Sequence, residues 1–227
     1  MSLKFFIGQR GFTLAELLVA STITMLVLGG AVALTSQVQI GYRRQVEDSA
    51  AEQEGRYALD WVSRLLRSAG NNPYSISSTI VGECPPGPDP PPSALIGIIF
   101  DPNGDTINND VRIQTDSNPP DGVLGGNTAA GCNQPNEDVT VSFDQGTNSI
   151  TFRDNNIGGT ATVRTDAVIE DLKFVFRNAA RQETAINANV VYVETQVTIR
   201  TRTIDVATGV PMTRVLKQEV RIRGRHF

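Results

Sequence analysis

Two hydrophobic rhythms divide this chain. From Phe12 to Leu34 it is almost continuously apolar, and past Val46 the apolar positions thin to a stripe in which Val46, Ala50, Tyr57, Trp61 and Leu65 recur mostly at intervals of four, with one of seven. The first run would measure about 35 Å as a helix, enough to cross a hydrocarbon layer of about 30 Å. The second is the stripe of an amphipathic helix. Together they predict one long helix from Phe12 to Ala69, with Gly29-Gly30 the place for a bend. Ser68-Ala69-Gly70-Asn71-Asn72-Pro73 stops it, because glycine suits the left-handed position after a helix and proline cannot continue one.

Beyond Pro73 the period changes to two. Val139 to Phe143 and Ile150 to Phe152 flank the turn residues Asp144 to Ser149 and read as a hairpin. Leu172, Phe174 and Phe176 alternate with polar or smaller residues, and so do Val191, Val193, Val197 and Ile199. Val220 and Ile222 close the pattern, with Asp205 to Pro211 as the turn before the last strand. Ala94 to Phe100 and Val111 to Thr115 predict two shorter strands. The fold class is therefore α+β: a long N-terminal helix, its first half membrane-spanning, packed on one antiparallel β-sheet.

An acid interrupts the apolar run. Glu16 lies one turn beyond Phe12, and a carboxylate near a bilayer centre costs roughly 2.5 to 3.5 kcal/mol on insertion scales, so it calls for a function and a partner. Lys4 and Arg10 precede the run, which places the leader in the cytoplasm by the positive-inside bias. Arg43 and Arg44 oppose it, so charge alone does not decide the topology.

The string Gly11-Phe12-Thr13-Leu14-Ala15-Glu16 behind a short basic leader resembles the processing site of type IV prepilins and type II secretion pseudopilins. There a basic leader ends in glycine, phenylalanine follows, and glutamate is the fifth mature residue. The resemblance implies cleavage between Gly11 and Phe12 by a prepilin peptidase, methylation of the new Phe12 amine, and retention of the apolar helix. It also implies that Glu16 neutralises the amino terminus of a neighbouring subunit during assembly, consistent with the rule that a buried charge must be paired. Glu54 to Leu59 and Leu65 to Gly70 are similar to the helix end of PilW-type minor pilins, as are Val111 to Asp116 and Val220 to Gly224. The close competitor is a J-type pseudopilin of type II secretion. A third reading is a soluble exported binding domain cleaved after Ala33, since Ala31-Val32-Ala33 has small-x-small form.

On that resemblance the chain divides into a prepilin leader (1–11), a transmembrane or filament-core helix (12–40), its amphipathic continuation (41–72) and a β-rich periplasmic or extracellular pilin domain (73–227) with a long loop at 82–136. The expected place is the inner membrane, single-pass, and then a pilus or pseudopilus at the cell surface. The implied partners are other minor and major pilins, the prepilin peptidase and the inner-membrane assembly platform, with a part in filament initiation or the tip complex.

Charge and cysteines add detail. The formal charge is −4, and loss of Lys4 and Arg10 with an acid-free leader takes it to −6. Arg200, Arg202, Arg214, Lys217, Arg221, Arg223 and Arg225 are interleaved with apolar residues and read as a solvated sheet face, so nucleic acid is not indicated. Cys84 and Cys132 are the only cysteines. In an exported chain they suggest one disulfide across a Pro-rich loop, with two separate thiols as the alternative.

Candidate chemistry is sparse. The single histidine, His226, supports no triad or zinc site, and Gly125-Gly126 and Gly158-Gly159 lack the lysine of a phosphate loop. No catalytic residue and no firm cofactor is expected. Asp101, Asn103 and Asp105 do stand at alternating positions, as at the start of a calcium loop. However, Thr106 and Arg112 occupy the places of the loop glycine and the closing glutamate, so a turn-rich surface loop is the competing reading.

Overall fold

The structure is a computed structural model and describes residues 11–71, 96–117, 135–155, 160–204 and 208–222, the side chains of residues 202 and 203 excepted. By contact the chain divides into two units, Met1–Val46 and Glu47–Phe227. Among the described residues there is one α-helix, α1 (Leu14–Ser68); it begins in the first unit and ends in the second, and it is unbroken across Gly29-Gly30. Its end is the expected one. Gly70 takes a left-handed φ of 71°, and its N–H, which has no helical acceptor left, donates to the Gln114 carbonyl at 2.8 Å.

In the first unit every described residue is exposed. Apolar side chains without an internal partner keep their transfer free energy available for lipid or another chain.

In the second unit α1 packs on strands, but on a face different from the expected stripe. Ala51, Gly55, Ala58, Leu59, Val62 and Leu66 are buried, whereas Ala50 and Tyr57 are exposed, Val46 belongs to the other unit, and Trp61 and Leu65 are partly buried at the margin. The reason is steric. A Cβ on Gly55 would lie 2.7 Å from Ile199 Cγ2 and 2.8 Å from Leu216 Cδ1, so the helix approaches the sheet on its small residues. Leu59, Val62 and Leu66 fill the adjoining space, each contributing about 1.5 to 3 kcal/mol by burial.

Among the described residues the strands form two antiparallel sheets, not one. The first has the order β1 (Ile98–Phe100), β2 (Asp110–Gln114), β3 (Asp138–Asp144), β4 (Ser149–Asp154), β5 (Thr162–Val163). The second has the order β6 (Ile169–Arg177), β7 (Tyr192–Ile204), β8 (Pro211–Arg221). The short β5 pairs on the free edge of β4, so β6 starts a new ladder on the other side of a turn. Both sheets nevertheless feed one core with α1, where Val111, Val141 and Phe152 meet Leu172, Phe174 and Val197.

The expected hairpins are present. Phe143 pairs with Ile150 and Asp144 with Ser149, while the Asp144 carboxylate accepts from the Gly146 N–H at 2.8 Å and the Thr147 hydroxyl at 2.9 Å. Those bonds, led by Gly146, hold the carboxyl below the ordinary aspartate range. Along β7, Val193, Thr195, Val197 and Ile199 point inward at a period of two.

Candidate functional site

The N-terminus of α1 is built from its own sequence. Thr13 precedes the helix and Glu16 sits three residues on, which is the spacing of a capping box. The reciprocal bonds are there: the Thr13 N–H donates to Glu16 Oε2 at 2.9 Å, the Thr13 hydroxyl donates to the same oxygen at 3.0 Å, and the Glu16 N–H donates to Thr13 Oγ1 at 3.3 Å. Sequence reasoning assigned Glu16 a charge partner and missed this local role, although Thr-x-x-Glu at the start of an apolar run is its signature. An acid in the first turn also meets the positive end of the helix dipole.

Phe12 stands just before this cap and is 85% exposed, and Gly11 has open space where a Cβ would be. The peptide between them is therefore sterically open.

The rest of the segment is suited to an apolar environment. No part of its apolar window is buried. Each hydroxyl along it is satisfied within the helix: Ser21 donates to the Leu18 carbonyl at 2.9 Å, Thr22 to Val19 at 2.8 Å and Thr24 to Ala20 at 2.7 Å, and Thr35 and Ser36 do likewise to Ala31 and Ala33. In lipid, where water is absent, polar groups must be satisfied internally.

Residues 8–32, which include Gly11, Phe12 and Glu16, match the family model described as the prokaryotic N-terminal methylation motif. Such a motif is typical of type IV pilin-like proteins. An α+β architecture with a long N-terminal helix on antiparallel strands accords with the general build of that class. No curated protein and no solved structure matches the chain.

The other predicted sites are placed less directly. Cys84, Cys132 and His226 lie outside the described residues. Asp101, Asn103 and Asp105 lie together in the loop between β1 and β2, where the Asn103 amide donates to Asp105 Oδ2 at 3.0 Å. Among the described residues no three His, Cys, Asp or Glu side chains gather as a metal cluster.

Arg112, which stands where a calcium loop would have its closing glutamate, belongs to another network. Its Nε donates to Asp138 Oδ1 at 2.7 Å and its Nη2 to Oδ2 at 2.5 Å, while Asn155 and Gln114 donate to the same fully buried carboxylate. The bond to Asp138 holds the guanidinium above its ordinary value. This fork ties β2 to β3 and is structural.

Proposed function

We propose that this chain is a non-enzymatic minor-pilin-like subunit, held in the inner membrane by the first half of α1 before assembly and extracted into a filament afterwards. One observation supports the reading: the methylation motif at residues 8–32 overlaps an apolar helical stretch, residues 14–46, in which every residue is exposed and none joins the buried core. A segment of that kind associates with lipid first and with other copies or relatives of itself second. The prepilin peptidase cuts between Gly11 and Phe12, the β-rich unit faces the periplasm, and assembly depends on other pilins and on an inner-membrane platform. A role in initiation or at the tip follows from the resemblance to PilW-type subunits.

Within this reading Glu16 has two tasks, capping its own helix and cancelling the Phe12 amine of a neighbour. They separate by substitution. Glu16→Gln keeps the capping geometry, since glutamine also serves in the box, but removes the charge. Charge pairing across subunits predicts that Glu16→Gln and Glu16→Ala abolish incorporation into sheared surface fibres alike; retention of Glu16→Gln in fibres would refute it. Intact mass of the purified chain reads the processing, with a methylated Phe12 expected as first residue and a start at Leu34 fatal to the proposal. The same measurement after thiol alkylation, with and without reductant, reads the proposed Cys84–Cys132 bridge. Export of folded proteins lost on gene deletion, with surface fibres intact, would move the assignment to a secretion pseudopilin.

A further inference from the structure

The first sheet has a second face, opposite the one on which Val111, Ile113, Val139 and Val141 enter the core. Cross-strand register places Arg112, Thr140 and Arg153 in one row across β2, β3 and β4, and Asp110 and Ser142 in the next. Register partners share a face, so alternation alone gathers these polar groups. All five line a surface hollow of about 450 Å³, and Phe143, partly buried, lines it with them.

Three of these side chains have bonding capacity left over. Asp110 is 2% exposed, and its Oδ1 is buried with no hydrogen-bond partner. A buried carboxylate oxygen left so is costly and calls for an explanation. Arg153 is exposed and, among the described residues, forms no ion pair. Arg112 spends Nε and Nη2 on Asp138, which fixes the guanidinium and leaves Nη1 over.

The same lining selects against simple ions. A cation would meet Arg112 and Arg153, and an anion would meet Asp110. The charges balance, with those two guanidinium groups set against Asp110 and the buried Asp138 behind Arg112. What fits is an uncharged molecule that donates and accepts at closely spaced atoms, as the hydroxyls of a sugar do.

We propose that this hollow binds an uncharged saccharide, one hydroxyl donating to Asp110 Oδ1 and neighbouring oxygens accepting from Arg112 Nη1 and Arg153. The two rows lie two residues apart along the strands, about 7 Å, so one sugar ring reaches both. Phe143 offers an apolar surface to the ring carbons. Every lining residue used here belongs to the β-rich unit, so binding is read whether or not the chain enters a filament.

The test is saturation-transfer NMR on the full chain in a detergent without a sugar headgroup. The probes are cellobiose, lactose, maltose and N,N′-diacetylchitobiose, with glycerol as the control for unspecific polyol contact. At least one disaccharide should give a saturable signal that sodium phosphate does not displace. Arg153→Ala, at an exposed position, should melt like the parent and weaken the midpoint by about tenfold, the value of one hydrogen bond from a charged group. Asp110→Asn should weaken it by about as much, and Arg153→Ala alone decides the matter should that variant fail to fold. Silence from all four probes, an equal signal from glycerol, displacement by phosphate, or an undiminished signal in Arg153→Ala would overturn the proposal.

Discussion

Single residues explain where this chain tolerates change and where it does not. Gly55 is the sharpest case, because alanine would improve helix propensity by about 1 kcal/mol yet set a methyl within 2.8 Å of two core side chains. Leu216 can yield at its flexible end. Ile199 is branched at the contact and cannot, so overpacking at about 1 to 3 kcal/mol wins. Gly55→Ala should lower the melting temperature, and an unchanged or higher one would show that the sheet recedes freely. Asp110, buried at the start of β2, makes a pH prediction. Its folded pKa is raised from 3.8 to about 6, so the native state holds its proton more tightly than the unfolded chain. The stability this gives is fully present below pH 4 and is lost as pH rises through about 6, by up to about 3 kcal/mol. Denaturant titrations across that window should show the decline, and Asp110→Asn should flatten it.

Elements differ in how far their own sequence specifies them. The end of α1, the β3–β4 hairpin and the alternation in β6 and β7 follow from local signals: Gly70 before a proline-bearing segment, turn residues at Asp144 to Ser149, and inward apolar residues every second position. The cap of α1 is equally local, since Thr13 and Glu16 satisfy each other within one turn. The buried face of the second half of α1 was not legible. Hydropathy favoured the large residues Tyr57, Trp61 and Leu65, whereas packing selected Ala51, Gly55 and Ala58, whose value lies in what they leave room for. The division of the strands into two sheets was hidden for a related reason: alternation marks a strand's faces but says nothing of which neighbour its edges will pair with.

At the scale of the whole molecule, the buried core lies entirely in the second unit. Every core residue from Ala51 onward belongs to Glu47–Phe227, and the described part of the first unit contributes none. A chain begun at Glu47 should therefore be soluble without detergent and unfold in one cooperative transition, as small domains with a single core do. Aggregation of that fragment, or a melt without a defined midpoint, would show that residues before Glu47 complete the fold. The exposed first unit is then not needed for that core, and its length and apolar composition are compatible with a single membrane-spanning segment.

What the sequence determined by itself was whatever depends on near neighbours along the chain: the long helix and its stop, the membrane-length apolar run, the N-terminal methylation motif that includes Gly11, Phe12 and Glu16, and most strands. Periodicity and capping act over a few residues, so they are written in short strings. Tertiary structure alone decided that the helix approaches the strands through Gly55, that the strands part into two ladders, and that Asp110 is enclosed beside Asp101 and Asp105. Those outcomes depend on which distant surfaces meet, and the cost of burying a methyl or a charge exists only once they have met.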